Sequence, residues 1–182
     1  MNHSHHPCLA IQLKSGSFAT VCRGTHRASG KKVAIKCVLR KDLPPSDDAA
    51  IYDEVAILAS VEHAHIVPLI DFFDEKDCYF IVMELMCGGD LFDRIGKKKT
   101  YSEADARDLS SKMLKAMAYC QTRNIAHCDM KPKNLLLVVS FCGQMFAVVD
   151  DCLIAPLAPL TNGTLLFLFS FLRVMTTTRT SN

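Results

Sequence analysis

The chain has 182 residues, of which 49% are hydrophobic and 22% charged, and its formal net charge is +2. This length leaves room for one ordinary domain, and the composition excludes an intrinsically disordered protein and a collagen-like repeat. A net charge so close to zero gives no electrostatic reason to expect binding to nucleic acid or to a membrane surface. Charge is unevenly distributed, however, because only 4 of the last 49 residues are charged, against 36 of the first 133. The C-terminal part is therefore expected to be apolar.

The cysteine usage is typical of a reducing compartment. The chain has nine cysteines, an odd number, with no C-x-x-C pair, and its start lacks the pattern of a secretory signal. We therefore expect reduced thiols and a cytoplasmic protein, with the nucleus as the alternative location. The longest apolar stretch, residues 152–175, is interrupted by prolines and polar residues, and its unbroken piece at 165–169 is far shorter than the ~20 residues that a bilayer requires.

Hydrophobic patterns divide the chain into a β-rich front and a helical back. Apolar runs at 18–22, 32–39, 66–73 and 78–85, with one earlier strand before a glycine-containing loop, predict five strands. Apolar residues at 51, 55, 58 and 61 recur at helical spacing and predict one helix among them. Ser102, followed by Asp105, resembles a capping box and predicts a long helix over 102–123. Two lobes are therefore expected, connected by residues 83–89.

Two features of the front half are suited to binding phosphates. Residues 13–21 form a loop region around Gly16, and glycine lets backbone N–H groups approach phosphate oxygens closely. An apolar strand ends in Lys36, whose ammonium would point at the phosphates. Glu54, eighteen residues later, is placed to pair with this lysine, which a buried ammonium requires. Taken alone, these features are more typical of an ordinary hairpin with one glycine and of an edge lysine whose ammonium reaches the solvent.

Two further features come after the long helix. Asp129, Lys131 and Asn134 supply a proton acceptor, a positive charge and a metal ligand, which together are what phosphoryl transfer to a hydroxyl requires. Pro132 cannot continue a helix, so these three side chains are predicted to lie on a loop. Asp150 ends an apolar strand sixteen residues beyond Asn134, and the two offer hard oxygen ligands for Mg²⁺.

In this order and spacing, the four features resemble the eukaryotic protein kinases. Residues 33–36 read Val-Ala-Ile-Lys, residues 127–129 are similar to the H-R-D catalytic loop, and Asp150 stands in the D-F-G position. Lys131 is the residue that serine/threonine kinases use, and residues 54–58, 63–67, 79–84 and 88–95 look like the calcium/calmodulin-dependent group. The resemblance covers residues 11–153. It implies an α+β, two-lobe kinase fold with a complete small β lobe, one helix in that lobe, and the first part of a helical large lobe, truncated at its C-terminus.

The resemblance also implies the site residues and the ligands, ATP and Mg²⁺. Asp129 would be the catalytic base and Lys131 would stabilise the transferred group, while Asn134 and Asp150 would bind Mg²⁺. Met83 would be the gatekeeper, and the other implied residues contact the adenine, the ribose or the phosphates. The residues implied for ATP binding are Leu13, Gly16, Ser17, Phe18, Val21, Ala34, Lys36, Glu54, Met83, Glu84, Met86, Asp90 and Leu136.

Several residues depart from the family pattern. Lys14 and Ala19 replace two of the loop glycines, and Cys128 replaces the arginine that in many relatives pairs with an activation-loop phosphate. We therefore expect this chain to lack regulation through a phosphate on the activation loop. Asp151 and Cys152 replace the phenylalanine and glycine that follow the metal aspartate. Either the backbone at this point is rearranged, or Asp151 takes over as the metal ligand.

The sequence predicts four segments. Residues 1–10 are a flexible N-terminus, 11–83 the small lobe, 84–153 the hinge and partial large lobe, and 154–182 an apolar tail without an activation segment or an A-P-E motif. The tail is either unrelated to kinases or a divergent replacement. The predicted function is an ATP-dependent protein serine/threonine kinase, and the alternatives are a non-catalytic nucleotide- or partner-binding module and a chain that does not fold stably. Calmodulin binding is not supported.

Overall fold

The structure is a computed structural model that describes residues 11–15, 19–43, 47–97, 102–127, 130–139, 145–149 and 154–156. The chain divides into two compact units. The first contains residues up to Glu62 together with Val67–Met86, and the second contains His63–Ile66 and the residues from Cys87 onward. No helix in the described part is both long and apolar enough to cross a membrane.

The first unit is a five-stranded antiparallel sheet with one α-helix. The strands are β1 (Ile11–Ser15), β2 (Ala19–Thr25), β3 (Lys32–Leu39), β4 (Leu69–Asp74) and β5 (Cys78–Glu84), in the order β1-β2-β3-β5-β4. A short 3₁₀ helix, Arg40–Asp42, follows β3 and precedes α1, Asp47–Ser60. The predicted five strands and one helix are therefore confirmed. The strand expected to start at residue 66 begins only at Leu69, since the intervening Pro68 has no N–H with which to join a ladder.

The strand register assigns side chains to the two faces of this sheet. Val21 lies opposite Lys36, and Ala34 lies opposite Met83. Because opposite residues share a face and alternate residues along a strand point the same way, these four side chains lie on one face. On the other face, Val33, Ile35 and Val82 form a hydrophobic cluster, against which Cys37, Phe73 and Phe80 pack. Alternation thus separates the lysine from the apolar cluster next to it in sequence.

Helix α1 buries a stripe of aliphatic residues. Ile51, Val55 and Leu58, spaced by four and three residues, are its buried hydrophobic side chains, and the helix contacts β4. This is the periodicity that the sequence predicts, although Val61 lies just beyond the last helical residue, Ser60. The helix begins about one turn before the first apolar residue of the stripe.

The second unit combines two helices with two short β pairs. Its elements are α2 (Leu91–Lys97), α3 (Glu103–Thr122), β6 (Ile125–His127), a 3₁₀ helix (Pro132–Asn134), β7 (Leu135–Val139), β8 (Met145–Val149) and β9 (Ile154–Pro156). Strand β7 pairs with β8 and β6 pairs with β9, both antiparallel. The apolar strand predicted to precede Asp150 is confirmed as β8, which forms a hairpin with β7. Helix α3 contacts β6 and β8, and its residues Leu109, Met113 and Ala116 are buried.

The long helix starts and ends where the sequence predicts. The Ser102 hydroxyl accepts a hydrogen bond from the backbone N–H of Asp105 at 3.0 Å, which satisfies one of the N–H groups that a helix leaves open at its first turn. At the other end, the backbone N–H of Arg123 donates to the Cys120 carbonyl at 3.0 Å. Asn124 follows with φ 58°, a left-handed conformation that asparagine tolerates better than most residues.

Two features of this unit differ from the sequence-based expectation. Helix α2 was not predicted, because seven residues are too few to reveal a helical period. The segment around Pro132 is a short 3₁₀ helix rather than a simple loop, since proline at a first helical position removes only an N–H that would have no partner there. Asn134 is the last residue of this helix, while Lys131 precedes it.

Candidate active site

Lys36 and Glu54 form the ion pair that their spacing predicts. The Lys36 ammonium on β3 donates to the Glu54 carboxylate on α1, with Nζ 3.0 Å from Oε1, and each side chain is only 15% exposed. Reduced exposure strengthens the attraction but also raises the cost of losing either partner. The pair therefore fixes the ammonium at a defined point above the sheet. Binding of phosphates by Lys36 stays a prediction.

An apolar wall lies beside this ammonium on the same face of the sheet. Met83 is 6% exposed, and Val21 and Ala34 are half-buried. Small and aliphatic side chains next to a fixed positive charge are a suitable surface for a flat, hydrophobic ring that carries phosphates. Leu13 on β1 is 47% exposed and so is accessible to a ligand. The register thus brings together four of the residues that the sequence assigns to ATP.

The last residue of β5, Glu84, already uses its backbone donor. The N–H of Glu84 donates to the carbonyl of Pro68 at 3.2 Å. Since a backbone N–H makes one good hydrogen bond, a contact from Glu84 to an adenine would come from its carbonyl. Met86, the next residue predicted to contact adenine, is half-buried and is the last residue of the first unit.

Asn134 is placed by the end of its 3₁₀ helix. Its side chain is 2% exposed, and its backbone N–H donates to the Lys131 carbonyl at 2.9 Å. Lys131 is exposed, and the Lys133 ammonium lies 5.1 Å from the centre of the Phe92 ring, within cation–π range. Helix α2 contacts both this 3₁₀ helix and β7. The segment with Lys131 and Asn134 is thus supported by α2, an element that the sequence did not predict.

Asp90 has a structural role that the sequence did not predict. Its carboxylate accepts a hydrogen bond from the backbone N–H of Asp93 at 2.8 Å, which caps the start of α2. Its backbone forms an isolated antiparallel bridge with Leu136. Leu136 is half-buried. The two residues, both predicted to contact ATP, are therefore neighbours within the second unit.

Gly88 and Gly89 join the segment between β5 and α2 to strand β7 through backbone hydrogen bonds. The Gly88 N–H donates to the Leu137 carbonyl at 2.7 Å, and the Leu137 N–H donates to the Gly89 carbonyl at 2.8 Å. A Cβ at Gly88 would lie 2.2 Å from the Leu137 carbonyl oxygen, and Gly89 has φ +73°. In the sequence, the two glycines entered only as part of the predicted connection over 83–89 and of the family resemblance at 88–95. The consecutive glycines were the available signal for a close backbone approach.

The remaining predicted site residues lie outside the described part of the chain. They are Gly16, Ser17, Phe18, Asp129 and Asp150, with the departures Cys128, Asp151 and Cys152. Their roles stay predictions. The buried amide of Asn134 is an oxygen donor of the type that Mg²⁺ accepts. Within the described ranges, no group of three or more His, Cys, Asp or Glu side chains is arranged to hold a metal ion.

Comparisons of sequence and fold with known proteins identify relatives of this chain. The family model described as "Protein kinase domain" matches residues 10–144. Myosin light chain kinase A of Dictyostelium discoideum is 40% identical over 126 residues, which are 69% of this chain and 43% of that protein. Human calcium/calmodulin-dependent protein kinase type 1B is 37% identical over 139 residues, 76% of this chain and 40% of that protein. The chain thus spans less than half the length of these relatives.

A solved structure extends the similarity to the fold. The crystal structure of Rad53 1-466 in complex with AMP-PNP matches with a TM-score of 0.76 and 28% sequence identity, over 86% of this chain and 42% of that one. The matched family segment contains the Lys36–Glu54 pair and the loop with Lys131 and Asn134, and it ends before Asp150. Fold, sequence and the position of the ion pair agree: the chain belongs to the protein kinase family, and its relatives are serine/threonine kinases.

Proposed function

We propose that this chain transfers the γ-phosphoryl group of ATP to a serine or threonine hydroxyl of a protein substrate. The observation that carries the proposal is the half-buried Lys36–Glu54 pair, with Nζ 3.0 Å from Oε1; its ammonium lies on the same sheet face as the apolar side chains Val21, Ala34 and Met83. An ammonium held in one place binds phosphates without first paying the entropy of ordering a long side chain.

Each predicted residue has one task in this reaction. Lys36 holds the α- and β-phosphates, while Glu54 keeps its ammonium in position. Asp129 accepts the proton of the substrate hydroxyl, and Lys131 balances charge on the transferred phosphoryl group. Asn134 and Asp150 supply the oxygen ligands for Mg²⁺. Bound magnesium supplies charge neutralisation at the phosphate oxygens.

The relatives support the classes of ligand and substrate. The matching crystal structure is a complex with AMP-PNP, a nucleotide, and the relatives are kinases named for myosin light chain or for calcium and calmodulin. We propose that this chain also binds a nucleotide and acts on a protein substrate. From its cysteine usage, we propose a cytoplasmic or nuclear location. Regulation by calmodulin is not part of the proposal.

The test of transfer uses the purified chain with radiolabelled ATP, Mg²⁺ and casein as a general protein acceptor. Lys36→Met and Asp129→Asn are expected to abolish labelling of casein and of the chain itself. Lys32→Met is the matched control, because Lys32 lies on the same strand but is exposed and donates to Thr25. Labelling by the Lys36→Met variant at the rate of the unmodified chain would overturn the proposal.

A second candidate function is a nucleotide-binding module that does not transfer phosphate. The observation that favours it is the pair Asp151 and Cys152 in the place of the family's phenylalanine and glycine. Thermal unfolding with ATP, in the presence and absence of Mg²⁺, separates the two. Stabilisation by ATP without any transfer supports the module, whereas transfer to casein excludes it.

A further inference from the structure

Arg40 occupies a position from which it contacts several elements of the first unit. It lies in the 3₁₀ helix after β3, and its Nη1 donates to Asp48 of α1 at 3.2 Å. Its Nη2 pairs with Asp74 at the end of β4, and its Nε donates to the Glu75 carbonyl at 3.1 Å. The guanidinium lies 3.9 Å from the centre of the Tyr79 ring on β5. A planar group with five donors is suited to joining separate elements in this way.

Two tyrosines complete the same set of contacts. The hydroxyl of Tyr79, which is buried, donates to Asp48 at 2.9 Å, and the hydroxyl of Tyr52 on α1 donates to Asp74. The Tyr52 ring packs edge-on against Tyr79, with centroids 5.8 Å apart, and against Phe72, with centroids 5.9 Å apart. We call Arg40, Asp48, Tyr52, Asp74 and Tyr79 the corner network.

The corner network acts on the first two turns of α1, the helix that carries Glu54. Asp48 and Tyr52 are one turn apart, and Glu54 follows Asp48 by six residues, about 9 Å along the axis. Exposed ion pairs taken singly contribute little to stability, whereas several charges in one network contribute more. Here one arginine and two tyrosines connect α1 to β4, β5 and the turn between those strands.

We propose that Arg40 is a positioning residue for catalysis: through the corner network it fixes α1 so that Glu54 meets Lys36. This inference rests on the proposed function for its nucleotide readout. The corner network would hold the Lys36–Glu54 ion pair in place without a phosphate group on an activation segment. The pairing of Lys36 with Glu54 depends on where α1 lies along the sheet, and nothing in the two side chains themselves sets that position.

The main test is a double-mutant cycle on the affinity for AMP-PNP with Mg²⁺, measured by calorimetry on the full chain. Arg40→Met and Glu54→Gln each remove interactions with a charged group, so each is expected to weaken binding by about tenfold. If Arg40 acts through Glu54, the double variant binds no more weakly than Glu54→Gln alone. Arg27→Met, in the exposed turn between β2 and β3, is the control and leaves the affinity unchanged. A hundredfold loss in the double variant, or no loss in Arg40→Met, overturns the proposal.

A second measurement does not depend on nucleotide. Hydrogen exchange of the amides of residues 51–58 is expected to accelerate about tenfold in Arg40→Met, while amides of β3 keep their protection. Equal acceleration in α1 and β3 indicates general destabilisation and overturns the inference, as does no acceleration in α1. If the unmodified chain binds no nucleotide, the proposed function fails and exchange still decides the role of Arg40. Should Arg40→Met fail to fold, Tyr52→Phe, which removes a single hydroxyl, takes its place in both measurements.

Discussion

Replacing Gly88 by alanine tests whether the segment that follows β5 is held against β7 as closely as the structure shows. The added Cβ would lie 2.2 Å from the Leu137 carbonyl oxygen and 2.6 Å from the carbonyl carbon. Real side chains do not approach backbone atoms so closely, so the two segments must separate. Separation strains or breaks the hydrogen bonds that join Gly88 and Gly89 to Leu137, at 2.7 and 2.8 Å.

The expected loss of stability in Gly88→Ala follows from these contacts. Overpacking of a tight site costs about 1–3 kcal/mol, and each lost backbone hydrogen bond about 1 kcal/mol more. With one of the two bonds lost, we expect Gly88→Ala to lower the free energy of unfolding by about 2–4 kcal/mol. Gly96→Ala is a control of identical chemistry, because Gly96 lies within α2 and a Cβ there meets nothing within 4 Å. Alanine in a helix is favoured over glycine, so this control should gain about 0.5–1 kcal/mol.

Urea unfolding followed by far-ultraviolet circular dichroism measures both variants against the unmodified chain. The two alanine variants should shift the midpoint in opposite directions, with little change in the slope. A Gly88→Ala midpoint equal to that of the unmodified chain, or to that of Gly96→Ala, would refute the close approach between Gly88 and Leu137.

Three further predictions concern a helix cap, a thiol and a histidine. Ser102→Ala, which removes the hydroxyl that caps α3, should cost about 1 kcal/mol in urea unfolding, and a loss below ~0.3 kcal/mol would contradict the capping role. Burial raises the pKa of the Cys37 thiol to about 12. At pH 8, iodoacetamide should therefore modify Cys37 far more slowly than the exposed Cys87, which peptide mass spectrometry can measure. Equal rates of modification would contradict the burial of Cys37. Burial, with His63 and nearby lysines, lowers the pKa of His65 below 6.5. The unfolded chain then binds the proton more readily than the folded chain, so stability is full above pH 6.5 and falls as the pH drops below it. The urea midpoint should therefore fall less between pH 7.5 and 5.5 in His65→Gln than in the unmodified chain, and an identical fall would contradict the assignment.

Local patterns predicted most of the elements. The stripe at residues 51, 55 and 58 predicted α1, and Ser102 predicted the start of α3, because helical period and capping depend only on residues a few positions apart. Helix α2 escaped prediction, since seven residues are about two turns. Its cap, Asp90, was instead assigned to ligand contact from the family pattern.

The candidate site was predictable only in part, and for a related reason. Residue types and their order identified Lys36, Lys131 and Asn134 as candidates, because the chemistry of phosphoryl transfer restricts which side chains can serve. The sequence could not show that the Glu84 N–H is already bonded to Pro68, or that Asp90 and Leu136 are neighbours. Both facts depend on how separate segments pair.

The sequence by itself determined most of the strands and helices along the chain, the kinase motifs and the expectation that Lys36 pairs with Glu54. Only the tertiary structure decided which distant residues contact one another around these elements. Arg40 meets partners 8 and 34 residues away in Asp48 and Asp74, and Gly88 meets Leu137 on another strand. No local spacing encodes such contacts, because they arise when the sheet and the helices bring distant segments together. Periodicity therefore predicted most elements of this protein, and packing determined how distant residues meet around its candidate site.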